Sequence, residues 1–183
     1  PDLVDVVRQQ GSTRWLSHNF FPPAPESDFV INIASTEGGK RRDSLDHVKK
    51  CIEFASSINA ELYTVHPGFL AQSIRPNNDG KGANGYDFNF SGNIAKREKA
   101  FDMLVESLSS LKSFAKSCDV RLAIETEGSL TNPQSLLIQT PEDFAQLFDA
   151  IPNDLWINFN LAHTSLAATL YGFSVKDFIS KFA

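Results

Sequence analysis

Four apolar stretches of this chain each end on a side chain able to hold a metal ion or move a proton. RWLS (14–17) runs into His18, with Asn19 next; LYTV (62–65) into His66; LAI (122–124) into Glu125; and WINF (156–159) into Asn160, with His163 three residues on. A carboxylate placed directly after apolar residues is costly to bury unless it is paired, protonated or bound to a cation, so Glu125 is the strongest single candidate for chemistry. Imidazoles can ligate a borderline metal, orient a substrate hydroxyl or carry a proton near neutral pH. The Asn160 amide oxygen can ligate a hard cation, but without charge, so it should hold one less tightly than a carboxylate would. Glu127 keeps the strand parity of Glu125; because the chain is expected to turn there, it is a secondary candidate.

The elements that must position these residues alternate. Strands are expected over 14–20, 61–68, 119–126 and 154–160, and 29–35 is either a short strand or an extended loop. Helices are expected over 44–58, where Leu45, Val48, Ile52 and Ala55 share a face, and over about 94–117, with Phe101, Leu104, Leu108 and Leu111 as the stripe. A third, 140–151, opens with Thr140 as cap, Pro141 at the first helical position and two acids in the first turn. One or two short helices close the chain. His47 falls on a face rich in Lys, Arg and Asp and is read as solvated. The Asn- and Gly-rich segment 69–93, with Asp87, Phe88 and Phe90 to pack, is long for a connection and reads as a lid.

Apolar strands alternating with helices imply a parallel sheet and an α/β fold. Neither GxGxxG nor GxxxxGK[ST] occurs, so no nucleotide-binding loop is indicated. Polar residues at the carboxyl ends of successive strands favour a barrel, where such ends converge on one mouth. The 183 residues are 42% hydrophobic, enough for one sizeable core in a single domain, 1–183. A net charge of −5 does not suggest a phosphate-backbone binder, so nucleic acid is not the expected partner. Cys51 and Cys118 lie far apart, which fits packing roles and a reducing, cytoplasmic setting. No apolar run is long enough to cross a membrane, and both ends read as if cut within helices.

Taken together, SHNFFPP (17–23), YTVHPG (63–68), LAIETEG (122–128), TPEDFAQLFDAI (140–151) and INFNLAHT (157–164) resemble the xylose isomerase-like TIM barrels. That superfamily holds sugar (phosphate) isomerases and epimerases and the endonuclease IV type of AP endonuclease. The resemblance implies a (β/α)8 barrel, here apparently incomplete, about half to two-thirds of one, since a full barrel needs about 250 residues. It implies that His66 and Glu125 are catalytic, that His18, His66 and His163 bind substrate, and that Glu125 and Asn160 ligate a divalent ion (Mn, Zn, Co or Mg). Asn160 stands where the family's Asp-x-x-His pattern has its Asp, while His163 fills the His position. The family's later His and Glu ligands lie beyond this sequence.

The activity so implied is a metal-dependent sugar or sugar-phosphate isomerisation or epimerisation, by proton transfer next to a carbonyl. The alternatives are a zinc phosphodiesterase acting on abasic DNA and a degenerate barrel that binds a sugar or a partner without turnover. A homodimer is expected from unfinished sheet edges and family habit.

Overall fold

The computed structural model describes residues 3–10, 13–19, 21–24, 29–76 and 88–182. A leading helix α1 (Leu3–Arg8) precedes β1 (Leu16–His18), α2 (Gly38–Ser57) and β2 (Leu62–Val65). A hairpin of β3 (Ala71–Pro76) and β4 (Phe88–Ile94) follows, then α3 (Arg97–Ser117), β5 (Arg121–Glu125), α4 (Pro141–Ala150), β6 (Leu155–Asn158), α5 (Leu161–Tyr171) and α6 (Val175–Phe182). The main sheet has the order β1-β2-β5-β6 and every pair is parallel. The four expected strands are therefore all present, each a few residues shorter than its expected range. Residues 29–35 form an extended loop whose Ile31–Ser35 portion is buried.

Alternation along the strands divides the sheet into two faces. Tyr63, Val65, Leu122, Ile124, Leu155 and Ile157 join the hydrophobic core shared with α2, α3, α4 and α6. The register pairs His18 with Thr64, Thr64 with Ala123, and Glu125 with Asn158. These residues occupy the opposite face, which in a barrel is the inner one. All four strands thus bring their carboxyl ends to the same edge of the sheet.

α4 begins as its sequence dictates. Thr140 accepts from the Asp143 N–H and the Asp143 side chain accepts from the Thr140 N–H, a reciprocal capping box. α2 starts six residues earlier than its apolar stripe indicated, and its buried face includes His47. The expectation of a solvated His47 is therefore corrected. Residue 47 lies four before Cys51 and beside Val48, inside the stripe, so its ring packs against Phe29 (centroids 5.6 Å apart) and reaches 3.5 Å from Cys51 Sγ. Burial, together with the charge of Lys50, lowers its pKa.

The segment read as a lid holds all but the last residue of the β3–β4 hairpin. Residues 77–87, including Lys81 and Asp87, lie outside the described residues. The base of the hairpin is pinned. Gln72 Oε1 accepts from Thr36 N–H (3.2 Å), Lys40 Nζ donates to the Gln72 carbonyl (2.6 Å), and Phe90 packs on Phe69 (5.5 Å). Among the described residues no helix is long and apolar enough to cross a membrane.

Candidate functional site

At the carboxyl edge of the sheet three donors converge. His18 closes β1, His66 follows β2 and Glu125 closes β5, and one ligand atom of each lies within 4.8 Å of the others. Glu125 is buried, at 3% exposure, yet fully engaged. Its Oε2 meets His18 Nε2 (2.7 Å) and accepts from Asn158 Nδ2 (3.2 Å), while Oε1 accepts from Asn160 Nδ2 (2.8 Å). Burial alone would push this carboxyl up. The His18 contact, the nearby His66 charge and the Asn160 hydrogen bond outweigh burial and hold it at about 2. Glu125 is thus an anion at neutral pH, and a weak base.

His66 is positioned by a turn that requires its neighbours. Gly68 has φ +87°, and a Cβ there would lie 2.7 Å from Asn32 Oδ1 and 2.9 Å from Ala34 N. Asn32 in turn accepts from the Phe69 N–H (3.0 Å) and donates to the Phe69 carbonyl (3.1 Å), so the loop after His66 is held from within. On the other side, Asn19 Oδ1 accepts from the His66 N–H (3.4 Å) and the Asn19 N–H donates to the Thr64 carbonyl (2.8 Å), joining the ends of β1 and β2. His66 Nε2 lies 3.9 Å from Glu125 Oε2, and Nδ1 is in close contact with Glu127 Oε1. Burial works to lower the His66 pKa; the Glu127 charge and hydrogen bond, with Glu125 behind them, reverse this and raise it.

Glu127, ranked second from sequence, is buried in the site. The chain does not leave after Glu125, because Gly128 lets it run directly beneath α5. A Cβ at residue 128 would lie 2.1 Å from the His163 carbonyl oxygen. α5 is tied down there by Asn160, Thr126 and Thr164: Asn160 N–H donates to Thr126 Oγ1 (2.9 Å), and Thr164 Oγ1 donates to the same oxygen (2.8 Å). His163 then reaches the site with Nδ1 3.2 Å from the Thr126 carbonyl, 3.8 Å from Glu125 Oε1 and 3.8 Å from Glu127 Oε2.

Asn160 stands just past β6 as the N-cap of α5. Its Oδ1 accepts from Ala162 N–H (3.1 Å) and His163 N–H (3.3 Å), which leaves Nδ2 for Glu125. The amide thus presents a donor to the site, and its oxygen is committed to the helix. This arrangement answers why an amide suits the position in this chain: with a carboxylate there, two anions would face each other. Asn158, not singled out from sequence, is the other amide donor; its alternation with Asn160 along the strand was the available signal.

The donor set fits a divalent cation. Two imidazoles and a carboxylate are borderline to hard ligands. His18, His66 and Glu125 are the residues that would hold it.

Fold and site together define a class of protein. Residues 2–179 match the family described as "Xylose isomerase-like TIM barrel", and the chain belongs to it. Solved structures agree on the fold at low sequence identity. A D-tagatose 3-epimerase-like protein superimposes with a TM-score of 0.63 at 18% identity, covering 98% of this chain and 55% of its own. An L-ribulose 3-epimerase gives 0.68 at 10% identity, covering 100% and 52%. The apo form of 3-keto-D-glucoside 4-epimerase YcjR from E. coli gives 0.67 at 9%, covering 98% and 58%. The chain therefore spans about half the length of these structures. Among curated proteins none matches the sequence significantly.

Proposed function

We propose that the protein is a metal-dependent sugar isomerase or epimerase that moves a proton on the carbon next to a carbonyl. The observation that carries this reading is the convergence of His18, His66 and Glu125 at one strand edge, with Glu125 held anionic by the His18 contact, the His66 charge and the Asn160 amide. The structural neighbours named as epimerases support the reaction class. A divalent cation bound by these residues would supply Lewis-acid stabilisation of charge developing on the substrate's carbonyl oxygen. The chain's own residues divide the remaining work. Glu125, at about 2, keeps its charge and is poorly matched to proton abstraction near neutral pH. His163, whose Nδ1 lies 3.2 Å from the Thr126 carbonyl and which is outside the ligand set, is left to move the proton with its other ring nitrogen. His163, partly exposed at the edge of the cluster, is also placed to orient a substrate hydroxyl.

The sugars for which these neighbours are named make free ketoses the first substrates to test. Natively purified protein would be analysed for metal content and incubated with ketoses in D2O, with deuterium uptake followed by NMR. About one Mn, Zn, Co or Mg per chain, with uptake at the carbon beside the carbonyl that is lost in His66→Gln, is the expected result. Bound metal with no uptake into any ketose or ketose phosphate would refute the isomerase reading. A second reading, a zinc phosphodiesterase, is favoured by the two imidazoles among three donors, which suit zinc. Two or three zinc ions per chain, with cleavage of abasic DNA, would establish it. Retention of a sugar without metal would point to a binding protein.

A further inference from the structure

Glu127 is a second buried carboxylate within the same cluster, 7% exposed. Burying it beside Glu125 is unfavourable unless it is paired. Its two oxygens face two different histidines: Oε1 meets His66 Nδ1, and Oε2 lies 3.8 Å from His163 Nδ1. An ionised carboxylate can only accept, so the ring nitrogen in contact with it must carry the hydrogen. In neutral His66 the lone pair is then on Nε2, the atom 3.9 Å from Glu125 Oε2. The opposite tautomer would press a lone pair against the Glu127 oxygen in direct contact, whereas the Nε2 lone pair faces the Glu125 oxygen only across 3.9 Å. His163 is governed in the same sense by the Thr126 backbone carbonyl, 3.2 Å from its Nδ1. A carboxylate behind one nitrogen of a histidine fixes both the tautomer and the ring orientation of the other nitrogen, and strengthens it as a ligand or base.

We propose that Glu127 is a positioning residue that locks His66 as the Nδ1–H tautomer and presents its Nε2 to the cation or substrate oxygen bound beside Glu125. Gly128 makes this placement possible, because only a residue without Cβ lets the chain pass under α5 immediately after Glu127. The consequence for metal binding rests on the metal-dependent reading above; the tautomer does not.

The test is long-range 1H–15N correlation NMR of the full protein labelled at histidine nitrogens, metal-free, at a pH where the imidazoles are neutral. His66→Phe identifies the resonances. Native protein and Glu127→Gln, whose amide oxygen still accepts, should both show His66 protonated on Nδ1. Glu127→Leu should shift it towards protonation on Nε2. Zinc affinity, by competition with a chelator, should fall about 10–100-fold in Glu127→Leu and less in Glu127→Gln. His66 protonated on Nε2 in the native protein would overturn the proposal, and that measurement needs no variant to fold. An Nδ1–H tautomer unchanged in folded Glu127→Leu would overturn it as well. The expected tautomers with no zinc bound by any variant would uphold the role of Glu127 and refute the metal-dependent reading.

Discussion

Asn160→Asp changes one atom of the site and leaves its shape intact. One carboxylate oxygen still accepts from the Ala162 and His163 N–H groups, now 3.1 and 3.3 Å from the amide oxygen, so the cap survives. Its charge at the helix N-terminus contributes about 0.3–1 kcal/mol. The other oxygen replaces the N–H donor that sits 2.8 Å from Glu125 Oε1. Losing a hydrogen bond to a charged group costs about 1.5–3 kcal/mol. Two anions about 3 Å apart would add about 5 kcal/mol at an effective dielectric of 20, so one of them takes up a proton instead. The expected net effect in the metal-free protein is a loss of about 2–4 kcal/mol near pH 7, a fall of roughly 5–15 °C in Tm for a chain of this size. The sign with pH follows from linkage. The folded variant holds a proton that the unfolded chain releases, so its deficit grows as pH rises from 4 to 7 and shrinks on acidification. A divalent cation neutralises the pair; at a concentration 100-fold above its Kd it returns about 2.7 kcal/mol. Denaturant unfolding of native protein and variant across this pH range, with and without zinc or manganese, measures all of this. Equal midpoints at every pH would show that Asn160 does not donate to Glu125. A deficit that no cation relieves would refute the placement of a cation beside Glu125.

Three further outcomes are expected. In the metal-free protein Glu125 is held at about 2 against an ordinary 4.5, worth about 3 kcal/mol that is present above pH 4.5 and lost as pH falls towards 2; Glu125→Gln should lack this acid limb in unfolding experiments, and an unchanged limb would refute the assignment. Gly128→Ala places a Cβ 2.1 Å from the His163 oxygen and should cost about 1–3 kcal/mol, so an unchanged Tm would mean that α5 does not ride on this loop. The Cys51 thiol, buried and pushed up to about 11, should be alkylated at pH 8 far more slowly than the half-buried Cys118; timed labelling with peptide mass spectrometry reads the ratio, and equal rates would refute the burial.

Much of the frame was legible because it follows from short-range rules. The four strands announce themselves as apolar runs, the Thr140-Pro141 start of α4 by its capping chemistry, and His18, His66 and Glu125 by a polar residue following apolar ones. The β3–β4 hairpin was not legible, because neither AQSIRP nor FNFSGNI sustains a strand alternation and the two arms are defined by pairing with each other. His47 misled because its helix face was judged by charged neighbours in sequence, whereas burial follows the i, i+4 stripe.

What the sequence determined by itself is which residues could do chemistry and which end of which strand carries them, since alternation and strand termination are local properties. The tertiary structure decided how they are used. Asn160 spends its oxygen on α5 and its nitrogen on Glu125, and Glu127 turns inward to His66, because a glycine far from His163 in sequence lets the helix approach within contact of the loop. A hydrogen-bonding role depends on which partner faces each lone pair or proton. Strands and helices separated by dozens of residues meet only after packing has fixed their register.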